Sequence, residues 1–471
     1  MKSYKINSEN LGNAALILES GRQISYLELL GQISSFRQAF PAKGVVFCLC
    51  NNDLASLLCY LSAIEGSVVP LLLPGDIRER QLHSLVAAYT PRYLFHNRND
   101  LRRKWNCKPI FTFDDYELLD CELHTPYDIN ASLALLLATS GSTGSPKLVR
   151  LSSQNLAANA DSIIEYLGIT PAERAITSLP MHYSYGLSVI NSHLSAGASV
   201  VLTARPLMDV EYWRLIRRHE VTSFAGVPYS YEMLLKLKIE RLNIPSVKTM
   251  TQAGGRLTPK KIQRVSEACT SKGIRFFTMY GQTEATARIS YLPSDDTIRK
   301  AGSIGRPIPG GSLWIEDENT NPISQPGTTG QLVYAGPNVS LGYATSYRDL
   351  SLGDVNHGVL KTGDLATLDE DGCLYIVGRI SRFVKIYGIR VSLDDVERML
   401  TDCGIQSAAL GNDDQLLICL IGENQAEQED IRIRISSALA INKAAITVRE
   451  VESLPRLSNG KVDYQELAKM A

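Results

Sequence analysis

Apolar positions in residues 1–375 form short runs that alternate with stretches of helical spacing. Two successive units have the order strand, helix, strand: 45–49, 54–65 and 68–73, then 133–138, 154–167 and 175–179. Strands that alternate with helices pack as parallel sheets with helices on their faces. The pattern therefore predicts an α/β fold of parallel sheets flanked by helices, with Ser152 or Ser153 as the N-cap of the helix at 154–167.

The pattern changes after about residue 302, where glycine- and proline-rich segments separate short alternating runs. Such runs predict antiparallel strands, and we expect a small antiparallel barrel-like subdomain at 302–380. A compact tail follows, with a helical stretch at 392–400. We therefore predict a large N-terminal domain, 1–380, and a small α+β C-terminal domain, 381–471.

Composition limits the classes of partner. The chain has 471 residues, and 48 basic against 49 acidic residues give a net charge of −1. This balance argues against an extended surface for nucleic acid. Nine scattered cysteines indicate reduced thiols, and the polar start lacks an apolar signal core, so we expect a cytoplasmic protein. The apolar stretch 54–73 is interrupted by Glu65, Gly66 and Pro70, so it predicts a buried helix and strand and no membrane span.

The segment TSGSTGSPK at 139–147 directly follows the apolar run 133–138. Glycines let backbone amides approach an anion, hydroxyls donate to phosphate oxygens, and the lysine supplies positive charge. The segment is not a Walker loop, because Leu148 stands where a magnesium-binding Ser or Thr would follow the lysine. It predicts a phosphate-binding loop of another kind, and the alternative is a flexible linker.

Further segments carry groups that suit a nucleotide. TMYGQTEAT at 278–286 combines an aromatic ring, hydroxyls and Glu284, which suit a base, a phosphate and Mg²⁺, although alone it is equally a buried strand ending in a turn. Asp364 follows a glycine, where a carboxylate can accept two ribose hydroxyls or belong to an ordinary turn. Arg379 precedes a basic strand. Lys461 follows an Asn-Gly turn, and its ordinary alternative is a solvated surface charge.

Together and in this order, these segments resemble the adenylate-forming superfamily of acyl-CoA synthetases, peptide-synthetase adenylation domains and luciferase-like ligases. The resemblance runs from ISYLEL at 24–29 to PRLSNGKVDY at 455–464 and covers nearly the whole chain. It implies an AMP-forming acid–thiol ligase that uses ATP and Mg²⁺. A carboxylate would attack the α-phosphate to give acyl-AMP and pyrophosphate, and a thiol of CoA or of a carrier protein would then take the acyl group. It also implies a C-terminal domain that swings between these half-reactions.

The resemblance further implies roles for individual residues. Lys461 would bridge the attacking carboxylate and the α-phosphate, Thr283 would lie near that phosphate, and Glu284 would bind Mg²⁺. The β- and γ-phosphates would be held by Thr139, Ser140, Gly141, Ser142, Thr143, Gly144 and Lys147. The adenine and ribose would be contacted by Gly254, Gly255, Tyr280, Gly281, Asp364 and Arg379. Ser381 would be the hinge, where Asp or Lys is usual, and Lys385 and Gly388 would belong to the loop that faces the thiol.

The acyl pocket is expected around LPMHYSYGLSV at 179–189, with the lining residues His182, Tyr183, Tyr185, Gly186 and Leu187. Amino-acid-activating members of the superfamily carry an Asp there, which pairs with the ammonium of the substrate, and this chain offers Gly186. Because a buried ammonium without a counter-charge is costly, we expect an apolar or aromatic acyl group. His182 is explained equally well as a packed core residue or as a substrate contact.

Three alternative functions stay open. The first is a stand-alone adenylation enzyme that loads an amino acid onto a carrier protein. The second is a phosphotransferase that forms ADP, and the third is a nucleotide-binding module without catalysis. Glu284 and Lys461 argue against the third, because a binding module needs neither. Within the leading hypothesis, loading of a separate carrier protein is slightly preferred to CoA.

Overall fold

The structure is a computed structural model that describes residues 8–98, 107–121, 126–139, 147–387, 389–412, 414–421, 425–439, 441–457 and 460–470. The α-helices of this part of the chain are α1 Tyr26–Arg37, α2 Leu54–Glu65, α3 Glu79–Tyr89, α4 Ser153–Leu167, α5 Ser184–Ser195, α6 Val210–Arg218, α7 Pro228–Lys236, α8 Pro259–Thr270, α9 Leu393–Asp402, α10 Gln425–Leu439 and α11 Tyr464–Met470. Its strands in the first half are β1 Ala14–Leu18, β2 Gln23–Ser25, β3 Gly44–Cys50, β4 Val68–Pro74, β5 Tyr93–His96, β6 Cys107–Phe113, β7 Tyr116–Cys121, β8 Leu133–Ala138, β9 Leu148–Ser152, β10 Arg174–Ile176, β11 Ser199–Leu202 and β12 Ser223–Gly226. The later strands are β13 Thr249–Gln252, β14 Arg275–Tyr280, β15 Ser290–Leu292, β16 Arg306–Pro307, β17 Ser312–Glu316, β18 Pro322–Ile323, β19 Thr329–Ala335, β20 Gly342–Ala344, β21 Val359–Leu368, β22 Leu374–Arg379, β23 Phe383–Ile386, β24 Ile389–Ser392, β25 Ser407–Gly411, β26 Leu416–Ile421 and β27 Ile446–Val451.

The chain divides into two compact units. The first consists of the residues up to Ser312 together with Tyr334–Leu360, and the second consists of Leu313–Val333 together with the residues from Lys361 onward. The predicted boundary at 380/381 lies inside the second unit, in the 3₁₀ turn Ile380–Arg382. That boundary stays a prediction.

The first unit contains two large sheets, whose central strands are parallel as predicted. One has the order β20-β9-β8-β4-β3-β5-β7-β6, and the other has the order β16-β15-β14-β13-β12-β10-β11-β1-β2. In the eight-stranded sheet β3, β4, β5 and β8 run parallel, and in the nine-stranded sheet β1 and β10 to β14 do so. The remaining pairings at the edges of both sheets are antiparallel, which the alternating pattern did not predict.

Helix α2 shows why the first predicted strand–helix–strand unit folds as it does. All its residues are buried, and the Asp53 side chain caps it by accepting from the Ser56 amide. Buried residues of α1, α2 and α5 join one face of each large sheet in a single core. The stretch 54–73 is therefore a buried helix and strand. No helix in the described ranges is long and apolar enough to cross a membrane.

The second unit carries the antiparallel and mixed elements predicted for the later part of the chain. A five-stranded sheet has the order β18-β17-β19-β21-β22. Most residues of this sheet belong to the second unit, and the end of β19 and the start of β21 belong to the first. Its outer pairs, β17 with β18 and β21 with β22, are antiparallel. A hairpin of β23 and β24 and a three-stranded sheet of β25, β26 and β27 follow. Helix α9, capped by Ser392, confirms the helical stretch predicted at 392–400.

Candidate active site

The predicted phosphate-binding loop connects two neighbouring antiparallel strands. β8 and β9 pair with Ala138 opposite Leu148, so Thr139 and Lys147 flank the loop at adjacent positions. The predicted loop residues Ser140, Gly141, Ser142, Thr143 and Gly144 lie outside the described residues. The helix predicted at 154–167 is α4, which begins after the predicted N-cap Ser152, and the strand β9, which the pattern did not predict, lies between the loop and this helix.

Lys147, Tyr343 and Glu284 form a chain of contacts beside this loop, and we call them the Lys–Tyr–Glu cluster. Nζ of Lys147 lies 3.5 Å from the centroid of the Tyr343 ring, and the Tyr343 hydroxyl donates to Oε1 of Glu284 over 2.8 Å. Pairing of β20 with β9 places Tyr343 opposite Val149. Burial, followed by the nearby Glu284 carboxylate, raises the pKa of Tyr343, so its hydroxyl keeps the proton that it donates. A cation, a hydroxyl and a carboxylate thus meet where the loop returns to the sheet.

Thr283 and Glu284 lie on the 3₁₀ turn Thr283–Ala285, which follows β14. Position 281 must be glycine, because a Cβ there would lie 1.8 Å from the carbonyl oxygen of Ala287. The hydroxyl oxygens of Thr283 and Ser184 are 3.2 Å apart, which links the turn to the start of α5. The tight turn therefore presents the two predicted catalytic side chains in a defined orientation.

Asn338 holds the far side of this turn. It is 1% exposed, and its Nδ2 donates to the carbonyl oxygens of Ala285 and Arg288 over 2.8 Å each. The Thr286 hydroxyl donates to the Asn338 carbonyl over 2.7 Å. Because Thr286 has a φ of +64°, which is unfavourable for a residue other than glycine, these bonds stabilise a turn that the local sequence alone would not.

The residues predicted to contact the adenine lie at the carboxyl ends of two adjacent parallel strands. Gly254 and Gly255 follow β13, and Tyr280 ends the neighbouring parallel strand β14. Gly254 has a φ of +84°, and a Cβ there would lie 2.4 Å from the Tyr183 hydroxyl. Carboxyl ends of adjacent parallel strands are a common place for ligand sites in α/β sheets. The structure thus supplies a reason for glycine at 254 and brings it against a residue predicted to line the acyl pocket.

Two tyrosines of the predicted acyl pocket lie at the start of α5, where Tyr185 is buried and Tyr183 is partly buried. Tyr183 directly precedes the helix, and the Tyr185 hydroxyl lies 2.9 Å from both the carbonyl and the hydroxyl oxygen of Thr251. Their rings meet edge to face with centroids 6.2 Å apart. Burial raises the pKa of Tyr183 to about 12 and also raises that of Tyr185, so both phenols are neutral.

The other three predicted pocket residues have packing roles in the structure. A Cβ at Gly186 would lie 2.3 Å from the Pro180 carbonyl oxygen, so close approach of the backbone explains the glycine. Leu187 is buried in the main core. His182 interacts with the Cys50 thiol, whose pKa is raised by burial and lowered less strongly by this histidine. The part that these three residues play in substrate binding stays a prediction.

In the second unit, Asp364 and Arg379 face each other across β21 and β22. Nε of Arg379 lies 2.8 Å from Oδ1 of Asp364, whose side chain is 3% exposed. The Arg379 amide also donates to the Asp394 carboxylate over 3.0 Å. The two residues predicted to hold the ribose are therefore neighbours, although they are 15 positions apart in the chain.

Lys461 lies in a short turn before α11. Its carbonyl accepts from the Leu457 amide over 2.8 Å, and Gly460 has a φ of +80°. Arg456 and Val462 form an antiparallel bridge around this turn. The left-handed backbone of Gly460 agrees with the predicted Asn-Gly turn. Lys461 belongs to the same unit as Asp364.

The predicted hinge and thiol-facing loop are described only in part. Ser381 lies in the 3₁₀ turn Ile380–Arg382, and Lys385 lies on β23. The structure describes the backbone of these two residues and not their side chains. Gly388 lies outside the described residues altogether. The neighbouring Arg382 pairs with Glu397, with 2.6 Å between Nη2 and Oε1, although no predicted motif assigned it a role.

Glu284 is the predicted Mg²⁺ ligand. Among the described residues, no cluster of three or more His, Cys, Asp or Glu side chains is arranged to hold a metal ion. Mg²⁺ that binds together with ATP usually takes one or two protein carboxylates, phosphate oxygens and water. A single carboxylate beside a phosphate-binding loop fits that donor set.

A family model described as AMP-binding enzyme matches residues 6–344. The chain belongs to this family. Similar members include the oxalate–CoA ligase of Arabidopsis thaliana, 28% identical over 71% of this chain and 67% of the relative. The 2-succinylbenzoate–CoA ligase of Enterococcus faecalis is 28% identical over 72% of this chain and 70% of the relative. The AMP-binding family confirms the predicted adenylate-forming superfamily and the predicted AMP-forming ligase.

Solved structures of similar proteins show the same fold. ATP-bound MatB from Rhodopseudomonas palustris has a TM-score of 0.79 at 22% identity and covers 99% of this chain and 97% of its own. The o-succinylbenzoate CoA synthetase MenE from Bacillus subtilis in complex with AMP has a TM-score of 0.76 at 23% identity and covers 96% of this chain and 95% of its own. The predicted α/β fold with a large N-terminal and a small C-terminal domain is confirmed.

Proposed function

We propose that this AMP-binding family member activates a carboxylic acid as acyl-AMP, releases pyrophosphate, and transfers the acyl group to the thiol of CoA. The observation that carries the proposal is the Lys–Tyr–Glu cluster beside the predicted phosphate-binding loop. This cluster offers a cation for the phosphates and a carboxylate for Mg²⁺ at adjacent positions. A linker of glycine and serine would need neither.

The chemistry of the first step follows from charge. A carboxylate and a triphosphate repel each other, so adenylation depends on neutralising charge and on in-line positioning. In this proposal Lys147 and the loop hold the β- and γ-phosphates, Thr283 lies near the α-phosphate, and Lys461 brings in the attacking carboxylate. Mg²⁺ beside Glu284 would supply further positive charge for the phosphate oxygens.

Ribose binding is assigned to the Asp364–Arg379 pair. A carboxylate can accept hydrogen bonds from both ribose hydroxyls, and the arginine orients that carboxylate. The 2.8 Å contact between Nε and Oδ1 supports this division of roles.

CoA is proposed as the acceptor because relatives that align over two thirds or more of their length, these two among them, are named as CoA ligases. The sequence-based preference for a carrier protein stays a prediction. A pyrophosphate-release assay with a panel of carboxylic acids, run with and without CoA, tests the proposal. Acyl-CoA together with AMP and pyrophosphate is the expected product set. ADP as the nucleotide product would overturn the proposal, and turnover of amino acids alone would favour the adenylation enzyme.

The role of Lys461 is tested by separating the half-reactions. We predict that Lys461→Ala abolishes adenylation and spares thioester formation from supplied acyl-AMP, because the lysine neutralises charge only in the first step. Lys469→Ala is the matched control, since Lys469 is an exposed lysine on α11 that pairs with Glu466. Equal loss of both half-reactions would show that Lys461 has another role.

A further inference from the structure

Arg288 is a buried arginine close to the predicted reaction centre. It follows the 3₁₀ turn that carries Thr283 and is 2% exposed. Its carbonyl oxygen accepts from the amides of Asn159 and Asn338, which fixes its backbone. Its guanidinium carbon lies 4.0 Å from the centroid of the Tyr185 ring. The side chain therefore has a defined place inside the first unit.

The positive charge of Arg288 has no counter-charge among the described residues. None of their carboxylate oxygens lies within 4.0 Å of its nitrogens, and its Nε is buried without a hydrogen-bond partner. Three phenols are among the polar groups near it. Burial raises the pKa of Tyr166, Tyr183 and Tyr185, and the charge of Arg288 lowers each pKa by less. A guanidinium stays protonated in proteins, and an isolated buried charge costs several kcal/mol.

Arg288 also lines a cavity between α4, α5 and the nine-stranded sheet. Ile163, Val189 and Phe224 contribute apolar walls to it. Polar groups are added by Ser223 and by other strand residues. The cavity is small, so it offers room for the end group of a ligand beside a few convergent polar groups.

The other charged or titratable groups of this cavity already have partners. Glu173 pairs with Lys248, with 3.7 Å between Oε1 and Nζ. Arg275 is exposed and donates to a backbone carbonyl and to a threonine hydroxyl. His193 bonds to Ser223 through Nε2 over 3.0 Å and to a backbone carbonyl through Nδ1, and burial lowers its pKa to about 4, so it is neutral. Among the described side chains of this cavity, Arg288 is thus the cation that is buried and has no carboxylate partner.

The start of α5 connects this cavity to the predicted nucleotide site. Ser184 contacts Thr283, which is predicted to lie near the α-phosphate, and the next residue, Tyr185, packs on Arg288. Consecutive residues of α5 thus join Thr283 to Arg288, and a molecule with one acid group at each would run beside Ser184 and Tyr185.

We propose that the acid activated by this enzyme carries a second carboxylate, and that Arg288 binds this group at the inner end of the acyl pocket. The inference rests on the proposed function and adds a substrate class to it. The tyrosines and apolar walls then contact the hydrocarbon part between the two acid groups. The apolar or aromatic acyl group expected from the sequence becomes the spacer of a dicarboxylic acid.

The experiment compares each dicarboxylic acid with its monoamide, which has nearly the same size and lacks the second charge. Succinate, glutarate, adipate and phthalate, each with its monoamide, are assayed by pyrophosphate release with the full-length protein. We expect kcat/KM for the preferred diacid to exceed that for its monoamide by about 30-fold or more, the usual effect of removing one partner of a buried charge pair. Arg288→Gln should abolish this preference, and Arg288→Lys should retain part of it.

Arg306→Gln is the matched control, because Arg306 is an exposed arginine that also contacts a tyrosine ring. It should keep the full preference for diacids. If wild-type enzyme uses monoamides as well as diacids, or if Arg288→Gln lowers kcat/KM equally for both, Arg288 has a structural role and the inference is wrong, while the proposed function stands. If Arg288→Gln does not fold, Arg288→Lys provides the test. An unchanged preference for diacids over monoamides in that variant, together with an unchanged KM for diacids, would refute the inference. Absence of pyrophosphate with every acid would refute the proposed function itself, and the inference with it.

Discussion

The Tyr343 hydroxyl provides a direct test of the Lys–Tyr–Glu cluster. In Tyr343→Phe the ring beneath Lys147 remains, and the 2.8 Å hydrogen bond to Glu284 is lost. Glu284 would then be less well oriented toward Mg²⁺, so binding of Mg·ATP should weaken. No direct contact between Tyr343 and the acyl group is proposed, so the KM for the acid should change little.

The size of the effect follows from the geometry. A hydrogen bond to a charged acceptor contributes about 1.5–3 kcal/mol when it is buried. Tyr343 is 39% exposed, so water competes for the carboxylate and about 1 kcal/mol is a reasonable value. Because 1.36 kcal/mol corresponds to a tenfold change, the KM for Mg·ATP should rise about fivefold. Tyr343→Leu also removes the ring under Lys147, an interaction of about 0.5–1 kcal/mol at an exposed site, and should raise the KM further.

The assay is pyrophosphate release with ATP varied at saturating Mg²⁺, followed by Mg²⁺ varied at fixed ATP. Tyr375→Phe is the matched control, because the Tyr375 hydroxyl donates to a carboxylate of Asp369 in the second unit. It should leave the KM for Mg·ATP unchanged. An unchanged KM in both Tyr343 variants would refute the role assigned to the cluster.

Two further predictions concern stability. Gly281→Ala should lower the free energy of unfolding by several kcal/mol, because the new Cβ would clash with the Ala287 carbonyl. The control is Gly31→Ala, at an open position of α1, which should be neutral or stabilising by up to about 1 kcal/mol. Urea unfolding measures both, and equal stability of the two variants would contradict the packing argument. Burial lowers the pKa of His193 from 6.5 in the unfolded chain to about 4 in the folded protein. Between these two pH values the unfolded chain binds a proton that the folded protein does not. The free energy of unfolding should therefore fall by up to about 3 kcal/mol as the pH is lowered through this window. His193→Gln should remove this part of the pH dependence, and an identical pH profile would refute the assignment.

Local patterns predicted the central elements of the first unit well. The runs at 45–49, 54–65 and 68–73 correspond to β3, α2 and β4, because continuous apolar segments of these lengths fold in only a few ways once buried. The predicted strand at 175–179 is shorter, since β10 ends at Ile176. Local sequence is less informative about where a strand ends, which depends on the neighbour with which it pairs.

Strand β9 shows a different limit. Its residues follow the predicted phosphate loop and contain only one charged side chain, yet the pattern predicted no strand between that loop and the helix at 154–167. Leu148–Ser152 becomes a strand because it pairs with β8 on one side and β20 on the other. The second of these partners lies far along the chain, and pairing between distant segments leaves little trace in local periodicity.

The sequence by itself determined the family, and it also predicted the residues of a nucleotide site. Phosphate and adenine recognition depends on short backbone conformations and on a few residue types at set spacings, and both are visible in a linear chain. Tertiary structure alone decided that Tyr343 joins Lys147 to Glu284 and that Arg288 lies buried without a carboxylate beside it. Both facts depend on which distant side chains meet and which exclude water, because the energy of a charge is set by its surroundings in space rather than by its neighbours in sequence.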